Sequence, residues 1–478
     1  MFIGLDLGTS GLKALLIDED QSVLAEATAP LSVSRPASGW SEQEPDDWCD
    51  ACDAAMQALK AKADLSAVKG IGLSGQMHGA TLIDADDKPL RPCMLWNDTR
   101  ASAQAAQFDA IPAFRDVTGN IVFPGFTAPK VDWVRQNEPT VFAKMRKVLL
   151  PKDYLRLYLT GEYMSEMSDA AGTSWLDTGA RDWSDVLLAK CDLSRDHMPS
   201  LVEGSAISGE LRASLTERWG LPKGVVVAGG AGDNAATAIG LGVAEPGDGF
   251  VSLGTSGVLF AASSAFQPDA ATAVHTFCHA LPGTWHQMGV ILAATDALNW
   301  LSQILGKSPA ELTANLGALA APTRVTFLPY LGGERTPHNN ADVRASFTGL
   351  EHATGPEDLT RAVLEGVAFA FRDSQDALEA TGTELHRLIG AGGGANATYW
   401  VEAIATALNL AIDLPGEGDF GAAFGAARLG QMAATGEAEL SRPAVAQTIS
   451  PNSTLTEAYA EAHARYKSCY AALKGQYA

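Results

Sequence analysis

The tetrapeptide Gly-Thr-Ser-Gly occurs twice, at residues 8–11 and 254–257, about half the chain apart. Each copy lies between two apolar runs. Leu5-Asp6-Leu7 and Leu12 to Leu16 flank the first, Phe250 to Leu253 and Val258 to Ala261 the second. Apolar segments joined by a glycine turn read as β-hairpins, and a hairpin repeated in the same setting reads as a duplicated domain. The turn-rich stretch Ala244 to Gly249 is the expected boundary, giving domains over 1–244 and 245–478. A chain of 478 residues is long enough for both.

Between the repeats the pattern alternates strands and helices. A β-meander runs from Phe2 to Ala27, a helix from Pro45 to about Lys62 and a buried strand from Val68 to Ser74. In the second half a helix spans Glu357 to about Thr381. Leu388-Ile389 then leads into the glycine run 390–394, with Asn396 as expected N-cap of a helix reaching Asn409. This is an α/β pattern. With 46% hydrophobic and 19% charged residues the chain is a soluble globular protein, not a disordered or fibrous one.

A net charge of −22 repels nucleic-acid backbones and anionic lipid, so neither is an expected partner. An anionic substrate would need a local device: backbone N–H groups, a divalent metal or one placed cation. Six scattered cysteines and a start, Met1 to Asp6, without the basic and apolar regions of a signal peptide point to the reducing cytoplasm. The Asn-x-Ser/Thr matches at Asn97, Asn396 and Asn452 then read as chance.

A strand turning through Gly-Thr-Ser-Gly offers successive N–H groups and two hydroxyls, the elements of a phosphate cradle. Two cradles could enclose one polyphosphate. Asp6 precedes the first and can hold hydrated Mg2+, while Lys13 can reach a phosphate as a point charge. Asp233-Asn234 follows a strand and a glycine stretch, where α/β proteins place catalytic groups. Asp233 reads either as a general base or as a simple N-cap. Gln76-Met77-His78-Gly79 and Trp96-Asn97-Asp98 join amide, imidazole, indole and carboxylate groups suited to a polyol.

Competing patterns are present. Gly390-x-Gly392-x-x-Ala395 with Asp413 further on matches a dinucleotide fingerprint and would mean an NAD-dependent dehydrogenase. Cys49-x-x-Cys52 falls inside a predicted helix and reads as structural, and His275, Cys278, His279 and His286 lack a compact ligand repeat. Gly306-Lys307-Ser308 lacks the first glycine of a P-loop, since residue 301 is Leu.

The ordered set Asp6 to Gly11, Gln76 to Gly79, Trp96 to Asp98, Leu150 to Tyr154, Ser168 to Thr173, Gly232 to Asn234, Leu253 to Gly257 and Gly333 to His338 resembles the FGGY carbohydrate kinases, from residue 1 to about 430. Within them it is most similar to the branch acting on a pentulose. The resemblance implies two actin-like or hexokinase-like (ribonuclease H-like) domains with a cleft between them, and ATP-dependent phosphorylation of D-xylulose to D-xylulose 5-phosphate. Carried over by position, Asp233 is the implied base and Asp6 the implied catalytic carboxylate for Mg2+. Gln76, Met77, His78, Trp96, Asn97, Asp98 and Asn234 are implied sugar-site residues. Thr9, Ser10, Lys13, Gly254 and Thr255 match the phosphate loops, and Gly392, Gly393, Gly394 and Asn396 the adenosine region. ATP, Mg2+ and a small sugar are thus the expected partners, and a homodimer is an allowed assembly. A related kinase for another ketose or polyol, and a nucleotide-dependent switch ATPase on the same fold, are the alternatives.

Overall fold

The computed structural model describes every residue except 315, 417, 419, 437–439, 477 and 478. The chain forms two units. The first comprises Met1–Ala244, Phe277–Trp285 and Gly418–Arg442, the second Glu245–Thr276, His286–Glu417 and Pro443–Ala478. The expected boundary at 244/245 instead places 277–285 and 418–442 in the second domain.

Packing explains why the segment 418–442 belongs to the first unit. Its helix Ala422–Thr435 lies on the first sheet through backbone contact. A β-carbon at Gly4 would stand 1.8 Å from the Ala423 carbonyl oxygen, and one at Gly72 would stand 1.7 Å from that of Ala426. At Gly425 the clash would be with the Ala236 carbonyl oxygen of helix Asp233–Leu241, at 1.8 Å. No side chain fits at these three positions. The alternation of Gly and Ala along 421–430 is therefore the signature of a helix pressed between a sheet and another helix.

The first sheet runs in the order Ile207–Glu210, Val226–Ala228, Gly70–Gly75, Phe2–Leu7, Gly11–Ile17, Val23–Pro30. Phe2–Leu7 pairs antiparallel with Gly11–Ile17, bringing Asp6 opposite Lys13, and parallel with Gly70–Gly75. In the second unit Asp248–Leu253 likewise pairs antiparallel with Gly257–Ser263 and parallel with Arg387–Ala391. The repeated tetrapeptide thus marks the same local topology in each unit: a hairpin whose first strand continues into a parallel sheet.

Helix Pro45–Lys60 covers one face of the first sheet with Trp48, Cys52, Ala55, Met56 and Leu59. Burial raises the Cys52 thiol well above its usual range, as expected of a structural cysteine. In the second unit helix Pro356–Ala380 is buried along most of its length. The last helix, Thr456–Leu473, for which the sequence offered no motif, packs Tyr459, Ala462 and Tyr466 beside Tyr330 and Phe369. Among the described residues no helix is long and apolar enough to cross a membrane.

Candidate active site

The first Gly-Thr-Ser-Gly hairpin is braced from several directions. Gly8 N–H donates to the Gly11 carbonyl at 3.0 Å, closing the turn. Gln43 Nε2 donates to the Thr9 carbonyl at 2.8 Å, and Thr9 Oγ1 donates to Gln76 Oε1 at 2.9 Å. Gln76 Nε2 donates in turn to Gln43 Oε1 at 2.9 Å, which also accepts from Trp48 Nε1. Trp96 Nε1 donates to Thr9 Oγ1 at 3.1 Å. The Thr9 hydroxyl and the Gln76 amide, expected at phosphate and sugar respectively, therefore first serve to tie the turn to the strand end beside it. Ser10 is exposed, and its hydroxyl carries no hydrogen bond among the described residues. Lys13 pairs with Glu26 at 2.7 Å, a partly exposed contact worth about 0–1 kcal/mol, which a phosphate can displace.

His78 follows at the end of strand Gly70–Gly75 with a left-handed backbone, φ 69°. Its Nδ1 lies 2.8 Å from the Gly172 carbonyl oxygen, which can only accept. The proton is therefore on Nδ1, and in the neutral ring Nε2 carries the lone pair. The ring stacks on Phe126 at 4.5 Å, and a β-carbon at Gly172 would come within 2.4 Å of it. Met77 is buried against Gly172 and Gly232. Trp96 is 48% exposed, offering an apolar face, and Asn97 Oδ1 is buried with no partner among the described residues. That orphan acceptor matches a hydroxyl donor.

Asp98 has a different task from the one expected. It is wholly buried, accepts from Ser41 N–H at 2.7 Å and is held by Arg100 Nε and Nη2 at 2.6–3.0 Å. Arg100 also lies 3.5 Å over the Trp40 ring. A carboxylate so enclosed shapes the 96–98 loop and has no face left for a ligand.

Asp233 opens helix Asp233–Leu241 after the short strand Ala231–Gly232. Its Oδ1 accepts from Asn234 N–H at 2.7 Å and from Asn234 Nδ2 at 3.0 Å. Oδ2 has no hydrogen-bond partner among the described residues. Burial pushes the carboxyl up to about 6 against the pull of the Asn234 hydrogen bonds, and the nearby charge of Asp6 raises it further. One oxygen is thus oriented and the other presented.

Two motifs that carried no assigned role build the support for this carboxylate. Lys152, wholly buried on helix Pro151–Thr160, meets Asp153, Glu166 and Asp169 at 3.1 Å each. Burial alone would depress its ammonium; the three carboxylates reverse this and keep it protonated. Burial pushes Asp169 upward against the pull of Lys152, and two cations, Lys152 and Arg156, face the three acids of the cluster. Glu166 Oε2 accepts from Ser168 Oγ at 2.8 Å, and Ser168 Oγ accepts from Gly232 N–H at 3.0 Å. Arg156 donates to the carbonyls of Ala228 and Gly229, both at 2.6 Å. Lys152, Arg156, Glu166 and Ser168 have no role assigned from the sequence, although Lys152 and Ser168 fall within its ordered motifs.

In the second unit the other Gly-Thr-Ser-Gly turn is held by residues 294–295. Ala294 N–H donates to the Thr255 carbonyl at 2.8 Å, and Thr295 N–H and Oγ1 donate to the Gly254 carbonyl at 2.9 and 2.8 Å. The glycine run abuts this turn. A β-carbon at Gly392, φ 81°, would lie 2.8 Å from the Leu253 carbonyl oxygen, and one at Gly394 would lie 2.8 Å from Leu253 Cβ. Gly393 faces open space and Asn396 is exposed. The residues expected at phosphate and adenosine in this unit are therefore neighbours. Asn396 differs from its expected capping role: it closes a 3-10 turn, Gly393–Asn396, and the helix begins afterwards at Thr398.

The donor set suits Mg2+ and a nucleotide. Asp6 supplies a hard oxygen ligand whose charge is felt at Asp233, and the glycine turns leave room for a polyphosphate. Of the competing patterns, Asp413 is ion-paired with Arg387 and accepts from Thr448 Oγ1, so it does not stand free for a ribose. His279 is buried against the Val243 carbonyl with its ring pushed down to about 4 by burial, and His286 stacks on Phe260.

Residues 1–240 match the N-terminal domain of the FGGY family of carbohydrate kinases, and residues 249–434 match its C-terminal domain. A xylulose kinase of Escherichia coli K12 is 50% identical, covering 92% of this chain and 91% of its own. One from Lactococcus lactis is 39% identical, covering 82% and 80%. Among solved structures, a protein from Brucella ovis described as a xyloylose kinase is 62% identical with a TM-score of 0.98, covering 99% of both chains. The xylulose kinase of Rhodospirillum rubrum is 28% identical at a TM-score of 0.93, covering 100% and 99%. The dehydrogenase and switch readings fall away: with both family domains matched in order, the chain belongs to the FGGY family of carbohydrate kinases.

Proposed function

We propose that this chain phosphorylates D-xylulose at its terminal hydroxyl with MgATP, giving D-xylulose 5-phosphate and ADP, with Asp233 as general base. The observation that carries the reading is the Asp233 carboxyl, one oxygen fixed by Asn234, the other without a partner, and its pKa raised to about 6. A base poised near neutrality takes a proton as the hydroxyl oxygen attacks, a role worth about 10²–10⁴ in rate. The xylulose kinases of Escherichia coli and Lactococcus lactis support the choice of sugar.

His78, Met77, Trp96, Asn97 and Asn234 would bind and orient the sugar, and Ser10, Lys13, Gly254 and Thr255 the phosphates. Gly392, Gly393, Gly394 and Asn396 would border the adenosine. Mg2+, held through water by Asp6, would neutralise charge on the transferred phosphoryl group. The Asp233 carboxylate accepts the hydroxyl proton on Oδ2 while Asn234 keeps Oδ1 in place. A substrate such as ATP puts the working enzyme in the cytoplasm, and light scattering of the purified chain tests the homodimer. The decisive assay follows ADP release with D-xylulose, with other ketoses and polyols, and with no sugar. Release stimulated by D-xylulose above the panel is expected; stimulation by another sugar instead would reassign the substrate.

A further inference from the structure

Behind His78 lies a lysine with no place in the reaction as derived so far. Lys130, on helix Thr127–Asn137, is wholly buried, and its Nζ donates to the His78 carbonyl at 3.0 Å. Thr127 Oγ1, one helical turn earlier, donates to the same oxygen at 3.1 Å. Phe126, at the N-cap of this helix, stacks on the His78 ring. One helix start therefore grips both the backbone and the imidazole of a single residue.

The arrangement is costly by ordinary standards. A buried ammonium is normally matched by a carboxylate, and among the described residues Lys130 makes its hydrogen bond to a carbonyl and none to a carboxylate. Burial depresses it to about 7, with Cys93 and Asp98 raising it and Arg100 lowering it. His78 in turn holds a left-handed backbone that residues with a side chain seldom adopt. Two donors converging on its carbonyl fix that peptide, while Nδ1 on the Gly172 carbonyl fixes the ring. Both ends of His78 are then determined, and so is the direction of Nε2.

We propose that Lys130 is a positioning residue for sugar binding, acting with Thr127 through the His78 carbonyl. The inference rests on the reading of His78 as a sugar-site residue. It predicts a specific split in steady-state kinetics. Lys130→Met should raise the KM for D-xylulose about tenfold to a hundredfold, the loss expected when a buried carbonyl acceptor loses a donor. The KM for ATP and the rate of ATP hydrolysis without sugar should stay within about twofold. Lys130→Gln, which keeps an N–H donor without the charge, should recover most of the sugar KM, and Thr127→Val should shift the same parameter in the same direction.

His78→Ala is measured in parallel. If it leaves the sugar KM unchanged, the sugar-site reading fails and the inference with it. If His78→Ala raises the sugar KM while Lys130→Met and Thr127→Val do not, the role of Lys130 alone is refuted. A uniform rise in both KM values for Lys130→Met would also refute it, because general loosening of the fold has no reason to single out the sugar. Should Lys130→Met fail to fold, Thr127→Val and Lys130→Gln carry the same comparison.

Discussion

Gly232 donates its backbone N–H to Ser168 Oγ at 3.0 Å, immediately before Asp233 in the chain. The same hydroxyl donates to Glu166, whose other oxygen meets Lys152, so the approach to the proposed base is anchored in a buried ionic cluster. Ser168→Ala leaves the Gly232 N–H without its acceptor and removes a donor to Glu166. The expected result is a fall of about tenfold in kcat with little change in the KM for ATP, and a loss of about 1–3 kcal/mol in stability. Steady-state kinetics and thermal melting of the same preparation check both.

The raised Asp233 carboxyl predicts an acid limb. Below about 6 the base is protonated and cannot accept the hydroxyl proton, so kcat/KM should climb with pH through about 6 and level off above it. Stability runs the other way. Folding raises this carboxyl from 3.8, so between about 4 and 6 the folded state binds more protons, and stability from this group declines as pH rises. Asp233→Asn should therefore be inactive yet melt higher than the parent at pH 8, with the gain vanishing near pH 4. Differential scanning calorimetry at the two pH values decides.

Asp6 adds to the same titration, since its charge is among the causes that raise Asp233. Asp6→Asn should lose most Mg2+-dependent transfer, and the residual activity should show its acid limb displaced to lower pH than in the parent. A variant with the parent's rate, metal requirement and pH profile would remove Asp6 from the site.

What the sequence disclosed and what it withheld divides by the range of the contacts. The hairpin at Gly8–Gly11 and the helix start at Asp233 are local, and turn chemistry makes them legible. For Asp98 the sequence could not show which way it faces: Arg100 stands only two positions on, but Ser41, which completes the enclosure, lies 57 positions away, and a carboxylate beside Trp and Asn looks the same in sequence whether it faces solvent or an arginine. Lys130 stayed silent for the same reason, with its acceptor 52 positions off. The Gly and Ala pattern of 421–430 announced close packing, but its target, Gly4 and Gly72 at the far end of the chain, is a tertiary choice that no local propensity encodes.

That distant packing gives a test free of any assumption about catalysis. A methyl at Gly72 would overlap the Ala426 carbonyl oxygen at 1.7 Å, with the Gly430 N–H 2.9 Å away on the same helix. Both obstacles are backbone, so neither can rotate aside, and the helix Ala422–Thr435 would have to lift from the sheet. Overpacking of this kind costs about 1–3 kcal/mol or more. Gly72→Ala should melt several degrees lower at least, or accumulate as insoluble chain. Gly393→Ala has nothing within 4 Å of its added methyl and should fold as the parent does, while raising the KM for ATP if the nucleotide lies along this turn. Equal melting of Gly72→Ala and the parent would mean that the segment 418–442 does not pack on the first sheet as described.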